Sequence, residues 1–304
     1  MKKILITGSN GLLGQKLAEL LLPRQGVEVL ATSRGENKLA ERLPTLPFRS
    51  MDVTRPEQIE RVVSEFRPTH IIHTAAMTNV DECEANHEGA LLLNRDAVLY
   101  IAWACERYGV HLTHVSTDFI FDGANGPYDE EASGNPVNFY GKTKLQAEEI
   151  VKQAKCKWAI VRTVLVYGVA HDYGRTNIVL WVRDSLRAGR GIKVVTDQYR
   201  TPTLAEDLAM GCWLVVEKDA TGIFHIAGSE MLTPYEMAMQ VAEFFALDNS
   251  MIDKADSSTF TQQAKRPPRT GFRIGKAQAE LGYRPHTFQE GIRMVAAQAA
   301  EEAP

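Results

Sequence analysis

The chain predicts an α/β protein built on a doubly wound parallel sheet, with a small C-terminal lobe. Three observations carry that expectation. Short apolar runs alternate with helix-length amphipathic stretches through the first half, the signature of parallel strands covered by helices on both faces. The first run ends in a glycine turn that opens directly into a helix. After residue 165 the rhythm breaks, with no repeat or low-complexity linker to mark an independent bead.

Lys3-Ile4-Leu5-Ile6-Thr7 reads as a buried strand. Residues 11–22 then place apolar side chains at helical spacing until Pro23 stops them. Further strands are expected at 27–32, 46–50, 69–74, 110–116 and 158–164. Helices are expected between them at 35–43, 56–66, 86–108 and 138–154, the last capped by Asn138. Residues 167–176 are rich in Gly, His, Asp and Arg. A helix at 177–188, a strand at 192–196, a helix at 203–217 and a strand at 222–228 follow. From 233 onward two or three helices are expected, with a basic loop, Lys265-Arg266-Pro267-Pro268-Arg269. This divides the chain into a dinucleotide-binding domain, 1–165, to which 192–228 returns a helix and a strand, and a substrate lobe from 166–191 and 229–304.

Bulk properties narrow the function. A hydrophobic content of 44% and charged content of 24% are those of an ordinary soluble globular protein. A net charge of −4 argues against nucleic acid or an acidic membrane as partner. No apolar run reaches membrane-span length, and the chain starts on a strand without a signal-peptide core. Cys83, Cys105, Cys156 and Cys212 are scattered, as reduced thiols of a cytoplasmic protein would be. The histidines form neither H-E-x-x-H nor a tight cluster, so no metal is expected.

The chemistry begins at Gly8-Ser9-Asn10-Gly11-Leu12-Leu13-Gly14. A strand, a glycine turn and a helix N-terminus present unpaired N–H groups and a dipole to a pyrophosphate. Gly8, Asn10, Gly11, Leu12, Leu13 and Gly14 are therefore candidate cofactor contacts. Strand two ends at Ala31-Thr32-Ser33-Arg34, with no acid to take a ribose 2′-hydroxyl. Arg34, with Ser33, is either a receptor for the 2′-phosphate of NADP or a solvated loop cation. Asp52-Val53 lies where adenine would sit, or serves as a helix N-terminal acid before Pro56. Thr74-Ala75-Ala76 and Met77 offer close backbone approach to a flat ligand, or small core packing.

Ser116-Thr117-Asp118 ends a strand at the same sheet edge as the glycines. A hydroxyl there can donate to a carbonyl oxygen. Tyr140 and Lys144 lie four apart, on one helix face. Tyr140 can protonate that oxygen as a hydride reaches carbon. A free tyrosine titrates near pH 10, so Lys144 and the helix dipole are expected to favour the phenolate. Phe119 stands where a dehydratase would need a second acid.

These motifs resemble the extended short-chain dehydrogenase/reductases that act on nucleotide sugars, a Rossmann-type fold. Within them, the segments 75–84, 116–123, 136–144, 162–163 and 197–203 resemble the dTDP-4-dehydrorhamnose reductases. Arg34 and the missing acid at the end of strand two favour NADPH, with NADH usable through the shared pyrophosphate site, and the resemblance implies reduction of the C4 ketone of dTDP-4-dehydro-L-rhamnose or a close nucleotide sugar. It implies Thr117, Tyr140 and Lys144 as catalytic residues, and Asn94 ordering the site behind Lys144. For the substrate it implies Val80, Thr117, Asp118, Leu165, Asn177, Arg200 and Arg266. Leu165 replaces a usual tryptophan, and Arg200 a usual glycine. Lys16 stands where metal-bridged dimers carry glutamate, implying a monomer or a homodimer without a bridging metal. Two other readings stay open: an NAD-dependent 4-epimerase, and a non-catalytic NADP-binding subunit similar to the β subunit of methionine adenosyltransferase.

Overall fold

The computed structural model describes residues 1–171, 177–260 and 263–301. The first half runs β1 (Lys2–Thr7), α1 (Leu12–Leu21), β2 (Val27–Ser33), β3 (Phe48–Ser50), α2 (Pro56–Phe66) and β4 (His70–His73). It continues through α3 (Val80–Ala85), α4 (His87–Leu91), α5 (Ala97–Tyr108), β5 (His111–Thr117), α6 (Phe139–Gln153) and β6 (Trp158–Thr163). Then come β7 (Val166–Tyr167), α7 (Ile178–Arg187), β8 (Ile192–Val195), β9 (Thr203–Leu204) and α8 (Ala205–Glu217). The chain ends with β10 (Gly222–His225), α9 (Pro234–Phe244), β11 (Ile252–Ala255) and α10 (Phe288–Glu301).

Seven strands form one sheet in the order β3-β2-β1-β4-β5-β6-β10, every neighbouring pair parallel. The order reverses between β1 and β4, the switch point outside whose strand carboxyl ends sheets of this kind bind ligands. Buried aliphatic residues on both faces of β1, such as Ile4, Leu5 and Ile6, explain why these strands read as unbroken apolar runs. One face packs on α1 and α8, the other on α2 and α5.

Two expected helices change form. Residues 35–43 make turns instead of a helix. Gly35 sits at φ +85, and Asn37 spends its side chain on the Leu39 amide, so local turn chemistry outcompetes helical spacing. The helix expected over 86–108 starts earlier, at Val80, and is interrupted. Asn79 caps α3, Asn86 caps α4, and a π-helical turn at Leu92–Asp96 precedes α5.

A separate apolar cluster gathers α7, β8, α9, β11 and α10 around Val179, Met237, Val241 and Ile292. β8 pairs with β11 there, away from the main sheet, whereas α8 and β10 belong to the main sheet's layers. Phe272, Ile274, Leu281 and Tyr283 also pack into the main core. The boundary expected from sequence is therefore more interwoven: 192–195 crosses to the second cluster and 272–283 returns to the first. Part of the Gly/His/Asp/Arg-rich stretch, 172–176, lies outside the described residues.

Candidate active site

The glycine turn is a tight cradle. Gly8 has φ +72, and a Cβ there would lie 2.8 Å from the Ala75 amide nitrogen. A Cβ on Gly14 would lie 2.3 Å from the Gly8 carbonyl oxygen. Only bare backbone lets β1, α1 and the segment after β4 meet this closely. Gly11 caps α1 without a side-chain bond, so the amides of Leu12, Leu13 and Gly14 have no side-chain acceptor. The buried Ser9 hydroxyl beside them has no partner among the described residues. Donors, a helix dipole and an orphaned hydroxyl in one place fit a pyrophosphate.

Neighbouring candidates divide. Asn10 donates to the Glu36 carbonyl (2.8 Å) and accepts from the Lys38 amide (3.1 Å), so it pins the loop that follows Arg34. Arg34 is exposed and Ser33 half-buried at the end of β2. The Asp52 carboxylate accepts from the Thr54 amide (2.9 Å) and hydroxyl (2.7 Å). Burial works against its ionisation, but those bonds and the cations of Arg34 and Arg55 hold it below the usual carboxylate range. Val53 is buried in the core with α2. Ala75, Ala76 and Met77 are half-buried at the carboxyl edge of β4.

Thr117 ends β5, and Tyr140 lies in the first turn of α6. Asn138 caps that helix by accepting from the Gly141 amide at 2.8 Å. A Cβ on Gly141 would lie 2.0 Å from the Phe119 carbonyl oxygen, so glycine lets α6 seat directly on the turn after β5. That seating sets Tyr140 beside Thr117, near enough for the threonine to act on its ionisation. Phe119 meets the Tyr140 ring edge-on at 6.0 Å, and Met77, Val80 and Phe139 pack against the same cluster. Burial raises the Tyr140 pKa above that of free tyrosine, with Asp118 and Cys83 adding to it and Thr117 opposing. Tyr140 therefore holds its proton at neutral pH. The expected tuning toward phenolate by Lys144 is not what this geometry does, because burial and the Asp118 charge dominate.

Lys144 is anchored one turn deeper. Its ammonium donates to the Val115 carbonyl at 2.7 Å and lies 3.2 Å from His114 Nε2. Burial lowers its pKa to about 8, against the pull of Glu148. Asn94 accepts from the Met77 amide (2.8 Å) and donates to the Met77 carbonyl (3.0 Å) and the Thr143 hydroxyl (3.2 Å). It thus ties the segment after β4 to α6. Sequence reasoning missed His114 and the Glu148–Arg162 pair beneath α6. Glu148 accepts from Arg162 Nε (3.0 Å) and Nη2 (2.7 Å) and from the Ser116 hydroxyl (2.6 Å). The continuing four-residue spacing Tyr140, Lys144, Glu148 was the available signal.

On the substrate side, Asp118 is buried between the Thr270 hydroxyl, Thr117 and Arg200. Burial raises its pKa while those partners oppose. Arg200 donates to the carbonyls of Tyr199 (2.8 Å), Pro267 (2.6 Å) and Pro268 (3.3 Å), and lies over Phe119. It knits the 265–269 loop to the β5 edge. Arg266 grips Asp81 with two bonds, 2.9 and 2.6 Å. Asn177 caps α7 and donates to the Gly168 carbonyl at 2.6 Å. Leu165, at φ +36, keeps 40% of its surface exposed. Lys16 is buried and bonded within the chain to Glu19, Glu206 and Gln298.

A 3-2-1-4-5-6 strand order, a glycine cradle at its switch point and a Thr/Tyr/Lys group on β5 and α6 define an extended short-chain dehydrogenase/reductase fold. Residues 1–301 match the RmlD substrate binding domain model, and the chain belongs to that family. The chain is 30% identical to a dTDP-4-dehydrorhamnose reductase of Aggregatibacter actinomycetemcomitans, over 98% of this chain and all of that one. It is 30% identical to the methionine adenosyltransferase 2 subunit beta of Bos taurus, over 82% of this chain and 74% of that one. The crystal structure of a dTDP-4-dehydrorhamnose reductase from Bacillus anthracis in complex with NADP superposes with a TM-score of 0.86 at 28% identity, covering 98% and 99% of the two chains.

Proposed function

We propose that this chain is an NADPH-dependent reductase of the C4 ketone of a nucleotide-linked 6-deoxyhexose, with dTDP-4-dehydro-L-rhamnose as substrate. The observation that carries the reading is the buried, protonated Tyr140 set beside Thr117, at the sheet edge that also bears the glycine cradle. Gly8, Gly11 and the first amides of α1 would hold the pyrophosphate, and Arg34 with Ser33 the 2′-phosphate. A bound nicotinamide would supply the hydride. Thr117 orients the ketone oxygen by donating to it, and Tyr140 delivers the proton to that oxygen. Lys144, fixed by Val115 and His114, is placed for the ribose hydroxyls. Phe119 and Met77 exclude water from the Tyr140 side.

A dehydratase would need a second acid beside Asp118, and Phe119 supplies none. An NAD-dependent epimerase would favour an acid at the end of β2, where Arg34 stands. The similarity to a methionine adenosyltransferase subunit favours a second reading, a non-catalytic partner protein; the intact Thr117, Tyr140 and Lys144 weigh against it. NADPH and NADH oxidation across a panel of dTDP-, UDP- and GDP-4-keto sugars tests the proposal. Turnover of a dTDP-linked 4-keto-6-deoxy sugar is expected. Silence across the panel, with capture of a methionine adenosyltransferase catalytic subunit, would replace this reading with the second.

A further inference from the structure

β4 reads His-Ile-Ile-His and β5 reads His-Leu-Thr-His, and their parallel register sets His70 opposite His111 and His73 opposite His114. The sequence places these histidines about 40 residues apart, which hides the pairing. His73 and His114 lie toward the active-site edge, beneath Lys144. His70 and His111 begin their strands, at the opposite edge of the sheet. There Asp219, in the turn between α8 and β10, completes a group whose three donor atoms all lie within 4.8 Å of one another.

Hydrogen bonding within the protein accounts for only part of this cluster. His70 Nε2 lies 2.8 Å from Asp219 Oδ1, and its Nδ1 lies 2.8 Å from the Thr69 hydroxyl. His111 is 4% exposed, meets His70 edge-on at 5.2 Å, and has no partner on either ring nitrogen among the described residues. A neutral imidazole buried this way leaves both a donor and an acceptor unsatisfied. A cation answers the acceptor half of that need, because it takes a ring lone pair directly and leaves only the ring N–H to satisfy.

We propose that His70, His111 and Asp219 bind a divalent transition-metal ion, with Zn²⁺ as the fitting species, stapling β4 and β5 to the turn after α8. Two imidazoles and one carboxylate form a donor set that zinc takes with one position left for water. Bonds of about 2.0–2.1 Å in a tetrahedron set donors about 3.4 Å apart, so closure needs side-chain shifts of roughly 1–1.5 Å. Thr69 holds the His70 ring by its far nitrogen, as outer partners of metal-bound histidines do. Both histidines have pKa values lowered by burial, His111 to about 4, so both are neutral and ready to ligate at pH 7. Two cations oppose binding: Lys2, whose ammonium lies 3.0 Å from Asp219 Oδ1, and Lys157. The site is remote from Thr117 at the far end of β5, so its role is structural.

Zinc titration of the untagged, full chain by calorimetry, with thermal unfolding followed in parallel, tests this. One Zn²⁺ per chain is expected, with a rise in Tm and unchanged NADPH oxidation. Outer partners alone carry about 10–100-fold in affinity, so His111→Phe, which keeps the ring volume, should weaken binding at least that much. Asp219→Asn lies on a half-exposed turn and gives the same readout if His111→Phe fails to fold. Lys2→Gln should tighten binding. Co²⁺ should give the absorption of a nitrogen/oxygen tetrahedron without thiolate charge-transfer bands, separating this site from Cys105 and Cys156. No binding by the unaltered chain, or equal binding by Asp219→Asn, would overturn the proposal.

Discussion

Tyr140 carries the most weight of any single residue. It is buried, protonated and set beside Thr117. Tyr140→Phe removes the proton donor and little else. General acid catalysis is worth about 10²–10⁴-fold, so turnover should fall by that much while NADPH binding, read by fluorescence titration, stays near normal. Near-normal turnover would assign the proton to another group. Lys144 gives a second test. Burial places its pKa near 8, so the ammonium form dominates below that value and is lost as pH rises through it. The kcat/KM for NADPH should therefore decline above about pH 8. Lys144→Arg carries a charge that persists past pH 12, so the decline should move up or vanish. A decline at the same pH in this variant would belong to a different group. Thr117, Tyr140 and Lys144 were legible as candidates because a strand end, a four-residue helical spacing and the glycine turn upstream occur together in one family-like pattern. His114 was not, since its role depends on a neighbouring helix delivering Lys144 to it.

At the scale of elements, the proposed function rests on the turn after β2 and on the helix α6. The helix expected over 35–43 is absent, and Asn10 instead pins that turn below Arg34. Helical spacing misled there because Gly35 and Asn37 commit the backbone to turns. Arg34→Ala should raise the KM for NADPH by about tenfold or somewhat more, since charge-assisted hydrogen bonds contribute about 1.5–3 kcal/mol, with NADH kinetics little changed. Equal KM values for both cofactors in the unaltered protein would remove Arg34 from the site. Beneath α6, Glu148 and Arg162 are a buried bidentate pair. Glu148→Ala leaves the guanidinium unpaired and should cost about 3–5 kcal/mol in urea unfolding. A cost under about 1 kcal/mol would mean that solvent reaches Arg162.

For the whole molecule, the parallel sheet was legible because strands buried on both faces write themselves as apolar runs. The path of the C-terminal half was not. Its segments cross between two apolar clusters, and β8 pairs with β11, some 60 residues later. Such long-range pairing leaves no local trace. The same holds for Arg200 and Arg266, which read as substrate cations in sequence but are engaged with the loop at 264–268 and with Asp81. Through those bonds they tie the loop to the β5 edge and to α3. The architecture thus sets the glycine cradle and the Thr117, Tyr140 and Lys144 group along one edge of the sheet.

The central claim is that this site reduces a nucleotide-linked ketone. The most direct measurement uses NADPH deuterated at its transferable position, incubated with the purified chain and dTDP-4-dehydro-L-rhamnose, with mass spectrometry and NMR of the sugar product. One deuterium at C4 of a newly formed dTDP-deoxyhexose, absent with Tyr140→Phe, is the predicted result. Bound NADPH with no label entering any sugar would contradict the account.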